Sequence, residues 1–128
     1  MATLNEKQAQ LLLDPNFAVV GTVTEAGAPQ TSVVWIDWDG ESAIFTATKK
    51  RAKVRHLARN PRVSITVFDL KNPYRYVELE GAVELEDEGA AEHIQKMSQK
   101  YEGKDYSDTQ PRVLVRLRPS RVHGMGVE

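Results

Sequence analysis

The residues best equipped to do chemistry lie in one run, TATKKRAKVRHLARNPR, residues 46–62. Between Lys49 and Arg62 it holds Lys49, Lys50, Arg51, Lys53, Arg55, Arg59 and Arg62 and no acid, which is seven of the 17 basic residues of a chain whose net charge is only -1. Val54, Leu57 and Ala58 have the i, i+3, i+4 spacing of one helix face, and Asn60-Pro61 ends the pattern. A helix starting inside this run, capped by Thr48 or a neighbour, would turn unpaired amides and the positive end of its dipole toward an anion. Arg51 and Lys53 would stand in its first turn, beside the hydroxyls of Thr46 and Thr48. A guanidinium fork, an ammonium, hydroxyls and amides together suit a phosphate group. The same charges would equally serve as a solvated helix face that balances the acids of residues 78–86.

Other chemistries find less support. The chain has no cysteine, which removes disulfides, thiolate nucleophiles and cysteine metal sites. His56, His93 and His123 are too dispersed for a metal set, so no metal is expected, and Ser32, Ser42 and Ser64 fall in no hydrolase pattern. No side chain is assigned a catalytic role. A pI near 6.3 and an acidic strand face argue against a nucleic-acid partner despite the basic run. There is no apolar stretch long enough to span a membrane. The opening MATLNEKQAQLLLDP does not read as a secretory signal, so a cytoplasmic protein is expected.

The elements that must position the basic run follow from pattern. Thr3 and Glu6 fit a capping box, with Leu4, Leu11 and Leu12 on the apolar face of a short first helix and Asp14-Pro15 as its stop. Six strands are expected: residues 17–24, 30–38, 42–48, 62–69, 75–86 and 112–119. Asp39-Gly40 is the hairpin turn between the second and third. In the fifth, Val77, Leu79, Val83 and Leu85 alternate with Glu78, Glu80, Glu84 and Glu86, and Gly81 on the apolar side marks a bulge or a close backbone approach. A further helix over 88–101 would turn Ala91, Ile94 and Met97 inward. Trp35 and Trp38 face opposite ways on one strand: one belongs to the core, the other to a pocket wall or a subunit interface. Asp37 between them suits an exposed edge. The 128 residues fit a single domain, 1–128, mainly β in an α+β arrangement: a six-stranded antiparallel barrel with peripheral helices.

The order of these pieces resembles a known family. A strand, EAGAPQTSVVW, a DG hairpin, a strand ending T-A-T, RAKVRHLARNPRVSI and PYRYVELEGAVEL are similar to the split β-barrel flavin-binding proteins of the pyridoxamine 5′-phosphate oxidase type. They most resemble the subgroup of flavin/deazaflavin oxidoreductases that use coenzyme F420. RVHGMG at 121–126 also resembles that subgroup's C-terminal strand. The resemblance spans about Phe17 to Gly124. It implies that Arg51 and Lys53 contact the cofactor's phosphate, and that Gln30, Ser32, Val33, Val34, Thr46, Ala47 and Thr48 line the ring and ribityl chain. His56 would reach the cofactor's polar part, and Tyr74 and Tyr76 would pack near the ring, from the partner subunit of a homodimer. Lys49, Lys50 and Arg55 would hold the polyglutamate tail that F420 carries beyond its phosphate. The implied activity is hydride transfer between reduced F420 and a small unsaturated or quinone-like acceptor. The same residues would also serve an FMN-binding oxidase or reductase, or a non-catalytic binder of F420 or flavin. Pyridoxamine phosphate oxidase itself carries a C-terminal extension for its substrate that this sequence lacks, so vitamin B6 oxidation is not expected.

Overall fold

A computed structural model describes residues 2–128. The elements run α1 (Glu6–Leu13), β1 (Phe17–Val23), β2 (Pro29–Trp35), β3 (Asp37–Trp38), β4 (Ala43–Thr48), α2 (Ala52–Arg59), β5 (Arg62–Asp69), β6 (Asn72–Glu86), α3 (Ala90–Glu102), β7 (Arg112–Leu117) and β8 (Arg121–Met125). The strands form one antiparallel sheet in the order β2-β1-β5-β6-β7-β4-β3, with β8 also on β6. The sheet curls into a half-barrel, the split-barrel architecture expected from the sequence. The curl brings together β2, at one edge, and β4, next to the short β3 at the other, although four strands separate them in the hydrogen-bonded order. No helix among the described residues is long and apolar enough to cross a membrane.

Eight strands replace the six expected. The stretch 30–38 divides into β2 and β3 because Ile36 leaves the ladder. Its N–H donates to the Tyr101 hydroxyl at 3.0 Å and its carbonyl accepts from Lys100 Nζ at 2.6 Å, so side chains of α3 take the bonds a neighbouring strand would have made. The eighth strand is the C-terminal β8, which pairs with Tyr76–Glu80 while β7 takes Val83–Glu86. The fifteen-residue β6 thus exchanges partners at Gly81. A Cβ there would lie 3.0 Å from Leu117 Cδ1, 3.2 Å from the Ser120 amide nitrogen and 3.4 Å from the Arg118 carbonyl. The expected close approach is that of the β7–β8 corner, which docks on β6 through Ser120 N–H to the Glu80 carbonyl at 2.8 Å.

The core fills the curl. Ala18, Val20, Ile36, Phe45, Ile65, Val67, Val77, Leu79 and Val115 are essentially inaccessible, and Leu11 and Leu12 of α1 plug one end. The alternation read in β6 holds for Val77, Leu79 and Val83, with Leu85 half-buried. α1 is capped by Asn5 rather than Thr3. The Asn5 side chain accepts the Gln8 N–H at 2.8 Å and Gln8 Oε1 accepts the Asn5 N–H at 3.0 Å. Asn-x-x-Gln fits the capping box as well as Thr-x-x-Glu, and the Asn5 amide gains a further bond to the Val127 carbonyl at 2.8 Å.

α3 rests on the sheet through Ala90, Ile94, Met97 and Ser98; Ala91, expected inward, is exposed. Three side chains of the helix fasten it. Lys96 pairs at 2.9 Å with Asp37, which is 4 % exposed and not the free edge residue the sequence suggested. Lys100 Nζ donates to the carbonyls of Leu12 and Ile36, each at 2.6 Å. The Tyr101 hydroxyl donates to the Asn16 carbonyl at 2.5 Å. Gly103, at φ 67°, ends the helix, returning its N–H to the carbonyls of Ser98 and Gln99.

Candidate functional site

Where the two ends of the sheet meet, the surface opens into a cavity of about 530 Å³. β2 contributes Ser32 to Trp35, β4 contributes Thr46 to Thr48, and the start of α2 brings Arg51 and Lys53. α3, the segment after it and the start of β7 close the far side with Ile94, Met97, Glu102, Tyr106 and Arg112. A smaller recess of about 240 Å³ adjoins it, lined by Thr22, Gln30, Thr31 and Ala52 and sharing Ser32, Arg51 and Lys53 with the cavity.

Nine of the thirteen residues singled out from the sequence line these two spaces: Gln30, Ser32, Val33, Val34, Thr46, Ala47, Thr48, Arg51 and Lys53. Four do not. Lys50 is exposed and its carbonyl accepts Arg55 Nη1 at 2.7 Å, which turns the Arg55 side chain back onto its own loop. His56 stands behind the recess, with Nδ1 3.1 Å from the Thr22 hydroxyl. Tyr74 is 77 % exposed, and Tyr76 packs near His123, both outside the two spaces. Lys49 pairs with Asp87 at 2.8 Å.

α2 starts one residue later than a first-turn Arg51 requires. Arg51 is the N-cap, at φ -66° and ψ 142°, and neither Thr48 nor any other side chain caps the helix. Instead the Thr48 carbonyl accepts the Arg51 N–H at 3.0 Å, a tight turn that sets both cations at the mouth of the recess. Leu57 anchors the helix in the core, Val54 is half-buried and Ala58 faces solvent. Among the described residues no carboxylate comes within ion-pair distance of Arg51, Lys53 or Arg112. Burial lowers the Lys53 ammonium below the usual lysine range, and repulsion from Arg51 and Arg112 lowers it further. An anion here would relieve a destabilised positive cluster.

The opposite wall is aromatic. Trp35 stacks on Tyr101 at 5.2 Å between centroids and 6° between planes, and Phe17 stacks on Tyr101 at 5.6 Å. Tyr106 meets Trp35 edge-on at 6.4 Å. Trp38 lies in the core while Trp35 lines the cavity, which decides between the two roles left open for them. Burial raises the Tyr101 phenol to about 12, an increase its bond from the Ile36 amide only partly offsets.

Sequence reasoning missed Tyr106, Arg112, Ile94, Met97, Phe17 and Glu102 as cavity residues. Arg112 reaches the site through the β4–β7 ladder, which sets it opposite Thr48 across a separation of 64 residues. Tyr106 is placed by two bonds between its backbone and the Gln95 side-chain amide, at 2.8 and 2.9 Å. Its one sequence signal was an aromatic in an otherwise polar segment, GKDYSDTQ.

Residues 4–126 match the sequence family described as pyridoxamine 5′-phosphate oxidase. The chain belongs to that family. Among solved structures of this fold, an F420 reductase is 35% identical, with a TM-score of 0.84 over 94% of this chain and 98% of the other. The conserved hypothetical protein Rv2991 from Mycobacterium tuberculosis is 25% identical, with a TM-score of 0.78 over 95% of this chain and 84% of its own. General Stress Protein 26 from Bacillus anthracis str. Sterne shares the fold, at a TM-score of 0.76 and 18% identity over 96% and 94% of the two chains. The membership and the F420 reductase neighbour agree with a flavin- or F420-binding oxidoreductase fold, and the cavity lies along the same β2, β4 and α2 segments that carried the resemblance.

Proposed function

We propose that the protein is an F420-dependent oxidoreductase acting on a small unsaturated or quinone-like acceptor. The observation that carries this reading is the pair Arg51 and Lys53, which stands without a carboxylate partner where the recess and the cavity join. A cofactor with a phosphate between a flat ring and an anionic tail matches that division. The phosphate would sit against Arg51 and Lys53, the ring and ribityl chain along Ser32–Val34 and Thr46–Thr48, and the tail toward Gln30 and Thr31. The exposed Lys50 stands nearby on the same loop; Lys49 and Arg55 are already engaged and are weaker candidates for the tail. When bound, the reduced cofactor supplies the hydride.

The chain's own contribution is binding, orientation and exclusion of water. Val34 and Ala47 are buried and offer the ring an apolar bed. Trp35 and Tyr106 screen one side from solvent. Tyr74 and Tyr76 lie outside this protomer's cavity, which supports a role across the interface of a homodimer, where each would reach the partner's site.

Equilibrium titration with F420 and with FMN tests this, on the wild type and on Arg51→Ala/Lys53→Ala. Submicromolar F420 binding, weaker FMN binding and loss of both in the double variant are expected. Preference for FMN would instead make the protein a flavin enzyme of the same fold. Tight F420 binding with no turnover on any quinone or enone would mark a cofactor carrier.

A further inference from the structure

Arg112 is the one cation of the site that borders the large cavity without touching the recess. Its Nη1 donates to the Thr46 hydroxyl at 3.1 Å and its Nη2 to the Tyr106 hydroxyl, while the Tyr106 ring lies 4.8 Å from the guanidinium carbon. Those contacts stretch the side chain along β4, from the level of Thr48 to that of Thr46. They use two of the five N–H donors of a guanidinium. Arg112 Nε is buried and has no acceptor. That nitrogen is sealed from the cavity as well as from water, so the donors left for a ligand in the cavity are the remaining N–H groups of Nη1 and Nη2.

We propose that Arg112 holds a carboxylate of the acceptor, so that the enzyme's substrates are flat unsaturated or aryl carboxylates. The assignment rests on the proposed function, in which the cofactor's phosphate takes Arg51 and Lys53 and leaves Arg112 to a second ligand. The surroundings fit the two ends of such a molecule. The guanidinium, braced at Thr46 and Tyr106, offers the planar fork that a carboxylate matches. Trp35, Ile94 and Met97 give an apolar and aromatic bed for the unsaturated body. Glu102, on the same rim, makes no ion pair with Arg112 and disfavours a second negative charge at that edge. Tyr106 is a positioning residue: its hydroxyl fixes the fork, and its own backbone is clamped by Gln95.

Calorimetric titration with trans-cinnamate and trans-cinnamamide, each with and without oxidised F420, tests the assignment. Cinnamate is expected to bind the wild type about tenfold or more tighter than the amide, the weight of a charge-assisted hydrogen bond. Arg112→Gln should abolish that ratio and leave F420 affinity within about threefold, while Arg51→Ala should weaken F420 and keep the ratio. Arg112→Lys should recover part of the preference, since charge survives without the fork. Tyr106→Phe, which leaves Arg112 and the ring in place, should shrink the ratio by about threefold. Equal affinity for acid and amide in the wild type would overturn the proposal. So would loss of F420 binding in Arg112→Gln to the extent seen in Arg51→Ala, which would make Arg112 a third cofactor anchor. If F420 fails to bind even the wild type, the cofactor reading falls, while the acid-to-amide ratio measured without it still judges Arg112.

Discussion

Replacing Tyr101 by phenylalanine isolates the hydroxyl that joins α3 to the start of the barrel. That oxygen accepts the Ile36 N–H at 3.0 Å and donates to the Asn16 carbonyl at 2.5 Å. Ile36 is fully buried and Asn16 is 7 % exposed, so water does not readily replace either bond. Each hydrogen bond contributes about 1 kcal/mol net, and an orphaned buried N–H costs about 1–3 kcal/mol. The substitution should therefore destabilise the fold by about 2–4 kcal/mol, with the ring stacks on Trp35 and Phe17 kept. For a chain of this size that is a fall in Tm of about 6–20 °C. Urea unfolding at one fixed protein concentration, followed by circular dichroism, measures it; the midpoint should drop with an unchanged slope. Hydrogen exchange should accelerate at the Ile36 amide more than at Val77 or Leu79. A loss below about 0.5 kcal/mol, with the Ile36 amide still protected, would refute the view that this hydroxyl breaks the strand between β2 and β3.

Gly81→Ala should cost about 1–3 kcal/mol, because its methyl would press on backbone atoms of the β7–β8 corner as well as on Leu117; thermal denaturation reads the loss, and an unchanged Tm would show that the corner yields freely. Stability should rise from pH 8 toward 10 and fall above it. Lys100, lowered to about 8 chiefly by burial, binds its proton less readily folded than unfolded, whereas Tyr101, raised to about 12, keeps its proton in the fold beyond the ordinary value of 10.0. Urea midpoints across that range should show the maximum, and Lys100→Met should lose the rising limb except for the smaller share due to Lys53. Anion binding at the recess should take up protons: the free Lys53 is lowered, chiefly by burial, and an anion restores its charge. Inorganic phosphate should then bind less tightly as alkaline pH approaches the ordinary lysine value of 10.5, a trend that calorimetry in two buffers of different ionisation heat would check and that Lys53→Met should flatten.

Much of the fold was legible because it rests on local periodicity. The alternation in β6, the Asp39-Gly40 turn and the helix around Leu57 each survive translation into three dimensions, although Ala58 of its expected apolar face is exposed. What failed depended on distant partners. Nothing near Ile36 announces that Lys100 and Tyr101 will take its backbone bonds, and nothing near Asp37 announces Lys96. The site divides the same way. Arg51, Lys53 and the flanking hydroxyls stood out as a cluster within one segment, whereas Arg112 and Tyr106 reach the cavity only through the β4–β7 ladder and the Gln95 clamp. Tyr74 and Tyr76 were singled out mainly by resemblance, and both lie outside the cavity.

The meeting of β2 and β4 across an unbonded gap bears on how the barrel breathes. The two strands lie toward opposite edges of one sheet, joined by no ladder of their own, and the cavity is the seam between them. A molecule lodged against Ser32–Trp35 on one lip and Thr46–Thr48 on the other acts as a non-covalent stitch. Ligand affinity and seam width are then one variable: binding should damp motion along both lips at once, while Ile65 and Val77, on the far side of the curl, feel little. Such a seam would widen or narrow for ligands of different girth without repacking the core, so that changes confined to the lips would suffice to change what it holds.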